Sequence, residues 1–151
     1  MTDIDVTVIG GGAAGLMAAV SAARCGARTR VIEHMDRIGK KILSTGNGKC
    51  NYTNAVQGLS CYRGENPAFV LPVFEQFGQE DTVRLFEELG IYPKIKNGYY
   101  YPASEQAVSV VEVFGMECDY LGVDLWTSCG LQSIQKTCTG YEIRTTKAGF
   151  S

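Results

Sequence analysis

The feature that most constrains this 151-residue chain is a cluster of glycines close to its N-terminus. Residues 4–9 are rich in β-branched side chains, which is typical of a short buried strand. Glycines follow at once, and the alanine-rich residues 13–25 predict a helix that ends at Gly26. Residues 29–33 predict a second strand. This order predicts a β-α-β unit with parallel strands and a right-handed crossover.

The glycines have the spacing of a dinucleotide-binding turn. Gly10 permits the tight turn out of the strand, Gly12 lets the backbone approach a pyrophosphate, and Gly15 lets the helix pack close to the strand. Ala13 and Ala14 begin the helix, whose N–H groups and dipole favour a phosphate. Three glycines alone are weak evidence, because a plain glycine-rich turn can share their spacing. The strand before them and the helix after them strengthen the prediction.

An acidic residue stands where such a unit holds a ribose. Glu33 closes the second strand, 18 residues after Gly15, and its carboxylate can accept hydrogen bonds from ribose hydroxyls. A carboxylate at this position repels the 2′-phosphate of NADP, but it does not separate NAD from FAD. The alternative for Glu33 is a solvated residue at a strand end. His34 is predicted to contact the adenosine side or to be a solvated loop residue, rather than to be catalytic.

The segment after the second strand favours FAD over NAD. Residues 34–64 have no hydrophobic periodicity and are rich in Gly, Asn, Lys and Ser, with one helical turn expected near residues 39–43. Loops of this length in a compact domain are usually functional. Its N–H groups and Asn side chains can line the remainder of a long cofactor. An NAD domain would normally continue directly to its next strand and helix.

This loop resembles the hallmark loop of the bacterial BaiN/RdsA-type flavoproteins, a family of NAD(P)/FAD-dependent oxidoreductases that includes aminoacetone oxidase-like proteins. Residues 98–107 resemble the hairpin-to-helix segment of the same family, so the resemblance spans essentially the whole chain. One departure is Lys49, where the family more often has arginine; the charge is kept and the bidentate fork is lost. The run that carries the resemblance is Gly39-Lys40-Lys41-Ile42-Leu43-Ser44-Thr45-Gly46-Asn47-Gly48-Lys49-Cys50-Asn51-Tyr52-Thr53-Asn54.

The resemblance implies non-covalently bound FAD, with the glycines at its pyrophosphate, Glu33 at its adenosine ribose and residues 39–51 near its flavin. It also implies the N-terminal part of a longer protein, lacking a substrate domain and a C-terminal flavin-contacting segment. Residues 34–64 would be the flavin-side loop and residues 65–103 a helical and hairpin insertion. The expected cofactor-binding residues are Gly10, Gly12, Ala13, Ala14, Gly15, Glu33, His34, Gly39, Lys40, Lys41, Ser44, Thr45, Gly46, Asn47, Gly48, Cys50 and Asn51.

The rest of the chain predicts an α/β fold: a Rossmann-like FAD-binding parallel sheet with a crossover β-meander, truncated at the C-terminal end. Pro67 starts one helix, and residues 80–89 form another. Ser104 is predicted to cap a third helix that runs to about residue 121. The predicted strands are a hairpin at residues 91–95 and 99–101, a strand at 123–127 that joins the parallel sheet, antiparallel strands at 131–136 and 141–146, and the start of another strand at the C-terminus.

Composition excludes several function classes. The net charge of −2 provides no basic surface for nucleic acid. The six cysteines contain no C-x-x-C pair, which argues against a zinc ribbon or a thioredoxin-like redox pair. The apolar residues 6–20 are interrupted by glycines, and the acidic N-terminus lacks a basic signal region. We therefore expect a cytoplasmic protein with reduced cysteines, a small-molecule substrate, and no metal, membrane or nucleic-acid partner.

The expected function is hydride transfer between an organic substrate and bound FAD, with NAD(P)H as electron source. The alternatives are an FAD-dependent RNA-modifying protein, which the acidic charge and the loop disfavour, and a non-catalytic dinucleotide-binding fragment. Cys50 is either redox-active or, as we favour, a packing residue. Tyr99, Tyr100 and Tyr101 either border the active site or occupy the two faces of a hairpin. The sequence identifies no catalytic residue, and the oligomeric state stays open.

Overall fold

A computed structural model describes residues 4–147 and the backbone of residues 149–150. The chain divides into two compact units, one formed by Met1–Ile42 with Phe114–Ser151 and the other by Leu43–Val113. Short 3₁₀ segments cover Ile42–Gly48, Leu59–Cys61 and Pro67–Val70. In chain order the strands are β1 (Val6–Ile9), β2 (Thr29–Ile32), β3 (Thr53–Asn54), β4 (Pro93–Lys96), β5 (Tyr99–Pro102), β6 (Asp124–Trp126), β7 (Leu131–Lys136), β8 (Tyr141–Thr145) and β9 (Gly149–Phe150), and the α-helices are α1 (Ala13–Arg24), α2 (Leu71–Gln76), α3 (Gln79–Glu88) and α4 (Ala107–Tyr120).

The first unit contains the predicted parallel sheet. Its strands have the order β1-β2-β6, and Val31 of β2 lies between Val8 and Leu125. Helix α1 connects β1 to β2 and buries Leu16, together with Ala19 and Val20. The small side chain at Ala19 is fully buried against the sheet side of the helix. The β-α-β unit and the β6 strand that joins it are therefore confirmed, and they place the ends of β1 and β2 side by side.

The predicted meander is also present in the first unit. Strands β7, β8 and β9 form an antiparallel sheet in that order. Ile143 of β8 is buried in a cluster with Ile32 and Cys129, and Trp126 packs against that cluster. The meander thus covers the carboxyl ends of β2 and β6 with apolar side chains. This packing stabilises the edge of the sheet where Glu33 follows β2.

The second unit contains a small antiparallel sheet with the order β3-β5-β4. The hairpin of β4 and β5 turns through Asn97 and Gly98, whose φ angles of 52° and 81° suit a tight two-residue turn. The hairpin was predicted, but β3 was not. Thr53 pairs with Tyr100, so the segment predicted as an uninterrupted loop includes a strand.

Two predicted helix positions differ in detail from the structure. The Ile42 N–H donates to the Gly39 carbonyl at 2.8 Å, which forms a turn within the predicted residues 39–43. The 3₁₀ segment that follows extends to Gly48 and is interrupted by left-handed backbones at Gly46 and Asn47. Helix α4 begins at Ala107 rather than directly after Ser104, because Glu105 has a φ of 53° that no helix can include. The Ser104 hydroxyl instead accepts the Gln106 N–H at 3.3 Å in a local turn.

The helix predicted from Pro67 is present in two pieces. A 3₁₀ segment covers Pro67–Val70, and α2 follows it. Pro72 lies at the start of α2, where its missing N–H does not interrupt an α-helical bond. Within residues 4–147 and 149–150, none of the helices has both the length and the apolar character to cross a membrane.

Candidate functional site

The turn between β1 and α1 brings the helix unusually close to the strand. Gly10 has a φ of 99°, and its N–H donates to the Ile32 carbonyl at 2.8 Å. A Cβ placed on Gly15 would overlap the Gly10 carbonyl oxygen, with the Val8 side chain at 3.3 Å. Gly15 therefore has to be glycine for α1 to begin at this position. Both glycines have the structural roles that their spacing predicts.

The Glu33 carboxylate is fixed beside this turn. One oxygen accepts the Gly11 N–H and the other accepts the Met35 N–H, both at 2.7 Å. The side chain is only 9% exposed, while the neighbouring His34 ring is 74% exposed and its Nδ1 lies 2.9 Å from the carboxylate. Each carboxylate oxygen has two lone pairs, so the group can still accept hydroxyl donors. Glu33 is thus a preorganised acceptor at the carboxyl end of β2.

The N-terminal end of α1 is open on the side of Gly12. Within the described part of the chain, nothing lies within 4 Å of the position that a Cβ on Gly12 would take. Ala13 and Ala14 are exposed, and the first turn of Ala13–Arg24 contains no acidic side chain. The first N–H groups of a helix point out of its end and carry its positive partial charge. This end of α1 is therefore suited to a phosphate.

The first unit also includes the beginning of the predicted flavin-side loop. The Gly39 N–H donates to the Gly11 carbonyl at 2.7 Å, which ties the loop to the glycine turn. Lys40 is exposed and pairs with Asp36 at 3.1 Å, and Lys41 is exposed. The structure thus brings Gly39 next to the predicted pyrophosphate-binding glycines, while Lys40 lies on the surface.

The remaining loop residues belong to the second unit and form a tight, left-handed turn. A Cβ on Gly46 would lie 2.7 Å from the Asn51 nitrogen, so the close packing requires glycine there. The Cys50 N–H donates to the Thr45 carbonyl at 3.0 Å. The Asn51 amide donates to the Thr53 carbonyl at 2.9 Å and to the Tyr100 carbonyl at 3.1 Å. Ser44, Asn47 and Gly48 are exposed on this turn.

Cys50 is placed as a packing residue. Its side chain is buried, and that burial raises the pKa of the thiol above its ordinary value. A thiol in this state carries little thiolate at neutral pH, which is the opposite of what a redox-active cysteine needs. The position supports the packing interpretation over the redox one.

Tyr52 has a hydroxyl that is buried with no hydrogen-bond partner among the residues that the structure describes. Its ring packs 4.4 Å from that of Phe86. Burial, with a smaller effect of Glu87, raises its pKa to about 12. An unpaired buried hydroxyl is unfavourable by ~1–3 kcal/mol, so Tyr52 is a weak point of the second unit.

We predict that Tyr52→Phe leaves the free energy of unfolding unchanged or raises it by up to about 1 kcal/mol, because no hydrogen bond is lost. The raised pKa predicts a pH dependence as well. The neutral phenol favours the folded state, so stability is complete below the unfolded pKa near 10 and declines toward the folded pKa of about 12. The variant should lack this decline. Urea unfolding across that pH range tests both statements, and a variant destabilised by more than about 1 kcal/mol would refute the first.

Sequence reasoning missed a charged cluster in the second unit. Lys94 and Lys96 lie two residues apart on β4, on one face of the strand, and both approach the Glu105 carboxylate. The spacing of two residues between the lysines at the end of the predicted strand is the signal that could have identified them. Tyr99 and Tyr101 lie beside them, whereas the ring of Tyr100 faces that of Tyr52 at 6.4 Å. The tyrosine run therefore occupies both faces of the hairpin, and one face borders a depression.

The family of this chain follows from a comparison with known proteins. Residues 4–150 match the family described as the HI0933-like protein Rossmann domain. The chain belongs to this family. The resemblance drawn from the loop is thereby confirmed, as is the Rossmann fold.

The relatives of this HI0933-like domain include two kinds of enzyme. The 3-dehydro-bile acid delta(4,6)-reductase of Clostridium scindens is 43% identical over 141 residues, which cover 92% of the chain and 34% of the reductase. The ribosomal RNA dihydrouridine synthase of Haemophilus influenzae is 31% identical over 138 residues, which cover 91% of the chain and 34% of the synthase. The HI0933-like chain thus spans about a third of the length of these relatives.

Solved structures share the fold at low identity. Thermovibrio ammonificans THI4 aligns with a TM-score of 0.58 and 18% identity over 93% of this chain and 45% of its own. Lactococcus lactis thioredoxin reductase aligns with a TM-score of 0.53 and 17% identity over 98% of this chain and 32% of its own. At these identities the likeness establishes the Rossmann fold of the HI0933-like domain and nothing further.

Proposed function

We propose that the HI0933-like chain binds the ADP half of FAD at the β1–α1 turn and is part of an FAD-dependent oxidoreductase. The observation that carries the proposal is the Glu33 carboxylate, held by the Gly11 N–H at 2.7 Å beside the open end of α1. A carboxylate beside an open helix end supports the proposal, because an adenine dinucleotide needs an acceptor for its ribose hydroxyls and donors for its phosphates.

The choice of FAD over a nicotinamide dinucleotide rests on the loop after β2. Its residues resemble those of a flavoprotein family, and the exposed Ser44, Asn47 and Gly48 offer polar groups to a long cofactor. When bound, the flavin supplies the hydride-accepting centre. The chain's own residues would orient it through Glu33 and the helix end, and the expected cofactor contacts of residues 39–51 remain part of the proposal.

The proposed reaction is hydride transfer between a small organic substrate and the flavin, with NAD(P)H as electron source, in the cytoplasm. The relative with 43% identity is named as a reductase, which supports this class of chemistry. Because the chain covers about a third of that relative, the substrate of the whole protein stays part of the proposal.

RNA modification is the second candidate, and specific relatives favour it. Two ribosomal RNA dihydrouridine synthases, from Haemophilus influenzae and Escherichia coli, are 31% and 29% identical to the chain. Both chemistries fit one flavin site, so the glycine turn does not separate them. The higher identity to the bile acid reductase and the net charge of −2 support a small-molecule substrate for this chain.

Anaerobic addition of NADH or NADPH to the FAD-loaded chain tests the oxidoreductase proposal. We expect the visible absorption of the flavin to bleach, and to return when oxygen is admitted. Bound flavin that neither nucleotide reduces would instead support the non-catalytic dinucleotide-binding alternative. Binding of a ribosomal RNA fragment in preference to a scrambled RNA of equal length would favour the RNA-modifying candidate.

Gly12→Ala should separate cofactor binding from folding. A Cβ on Gly12 meets no neighbour within 4 Å in the described chain, and its φ of −82° suits alanine, so the loss of stability should stay within the ~1 kcal/mol that alanine costs at a helix N-cap. The methyl group would occupy the space that the phosphates need, and we expect FAD affinity to fall at least ~10-fold. Urea unfolding and a fluorescence titration with FAD measure the two effects. An unchanged FAD affinity would argue against phosphate binding at this turn.

A further inference from the structure

Three lysine side chains of the second unit converge on one carboxylate. One Glu105 oxygen lies 3.3 Å from the Lys49 ammonium and 2.5 Å from that of Lys96, and the other accepts a hydrogen bond from Lys94. The donors from Lys94 and Lys96 lower the pKa of Glu105 to about 2, so the carboxylate is charged at neutral pH. Three cations around one anion leave an excess of two positive charges.

Two of these lysines border a depression in the surface of the second unit. Lys49 and Lys96 line it together with Asn47, Asn97 and Tyr101. Ammonium, amide and phenol groups are all hydrogen-bond donors, and ammonium groups form their strongest hydrogen bonds with oxyanions. Tyr99 also lines the depression and is half exposed, which provides an aromatic face at its rim.

A purely structural role for the cluster accounts for only part of this arrangement. Exposed ion pairs contribute little to stability, and one pair with Glu105 would already neutralise its charge. Two further lysines at the same carboxylate add repulsion between like charges, unless a second anion compensates them. The single charge of Glu105 attracts the three lysines but neutralises only one of them.

We propose that Lys49, Lys94 and Lys96 form a binding site for an oxyanion, a phosphate or carboxylate group, carried by the small molecule that exchanges hydride with the flavin. The oxyanion site stands on the charge cluster alone, and its assignment to the redox partner rests on the proposed function. The depression bordered by Asn47 and Tyr101 receives the group, and the lysines supply its counter-charge.

The test is a titration of the 151-residue chain with inorganic phosphate at constant ionic strength, followed by NMR through the side-chain amides of Asn47 and Asn97. Lys94→Gln/Lys96→Gln should raise the Kd for phosphate about tenfold, since it removes the two excess charges. Glu105→Gln should lower that Kd about fivefold, because it removes the competing anion.

The matched control Lys136→Gln/Arg144→Gln changes the net charge equally on β7 and β8 and should alter the Kd less than about twofold. Equal weakening by both double variants, or amide signals that phosphate does not move, overturns the site.

A second titration with FAD separates the sources of the oxyanion. If saturating FAD leaves phosphate binding intact and Lys94→Gln/Lys96→Gln still binds FAD, the site serves a second ligand, as proposed. If FAD displaces phosphate, the oxyanion is the cofactor's own diphosphate and the assignment to the redox partner is wrong. If phosphate binds and FAD does not, the proposed function fails while the oxyanion site is supported.

Discussion

Replacing Gly15 by alanine should unfold or severely weaken the first unit, with an expected loss of about 3 kcal/mol in the free energy of unfolding. The added Cβ would overlap the Gly10 carbonyl oxygen and approach the Val8 side chain at 3.3 Å. Gly10 cannot easily move away, because its N–H is bonded to the Ile32 carbonyl at 2.8 Å. Overpacking against a fixed backbone costs ~1–3 kcal/mol and occasionally more. Urea unfolding followed by tryptophan fluorescence measures the loss.

Gly26→Ala is the matched control, because it changes a glycine at the other end of the same helix. A Cβ on Gly26 meets nothing within 4 Å in the described chain, although its φ of 86° is strained for alanine. The expected cost is therefore only about 1 kcal/mol. Equal losses from the two substitutions would show that the close approach of α1 to the turn is not what Gly15 provides.

Replacing Glu33 by alanine should cost about 2–4 kcal/mol of stability and also abolish FAD binding. The substitution leaves the buried Gly11 N–H and the Met35 N–H without the carboxylate that accepts both. A buried donor that loses its partner costs ~1–3 kcal/mol, more where the lost acceptor was charged. The loss of a ribose acceptor adds to the effect on the cofactor. Urea unfolding and FAD titration measure the two losses.

Glu33→Gln and Glu142→Ala define the origin of that effect. The side-chain amide introduced by Glu33→Gln has one oxygen, which can accept a hydrogen bond from one of the two N–H groups. Its NH₂ group faces the other N–H, and two donors cannot bond each other. We therefore expect a loss of stability between those of Glu33→Ala and the native chain. Glu142 is a partly exposed partner of Arg144, and its removal should change stability by less than ~0.5 kcal/mol. If Glu33→Ala is as mild as Glu142→Ala, the carboxylate does not hold the turn as the hydrogen bonds indicate.

The elements that the sequence predicted correctly are those with local signals. Strand β1, helix α1 and strand β2 follow from an apolar run, an alanine-rich run and the glycines at each end, all within residues 4–33. The hairpin of β4 and β5 follows in the same way from Asn97 and Gly98 at its turn.

The features that the sequence did not reveal depend on partners far apart in the chain. Strand β3 has two residues and is a strand only because Thr53 pairs with Tyr100. The Glu105 cluster joins Lys49 to a carboxylate 56 residues away, and a left-handed residue at Glu105 delays the start of α4. The sequence near Lys49 gives no sign of the distant carboxylate that it pairs with. The backbone conformation of Glu105 is not predictable either, because glutamate rarely takes a positive φ.

The sequence predicted the geometry of the glycine turn, and the cofactor contacts of the site remain a prediction. The positions of Gly10, Gly15 and Glu33 follow from the spacing of the motif, and the structure brings them together at the ends of β1 and β2. That Glu33 is held by the Gly11 N–H, and that Cys50 is buried, depends on packing that a single sequence does not express.

The central claim is that the glycine turn and Glu33 recognise the ADP half of FAD. Its most direct test is a calorimetric titration of the purified chain with FAD and, in parallel, with FMN, which carries the same flavin without the adenosine. We expect one FAD to bind per chain and FMN to bind at least about tenfold more weakly, because the helix end and the ribose acceptor contact only the missing half. Equal affinity for both flavins, or no binding of FAD, would contradict the claim.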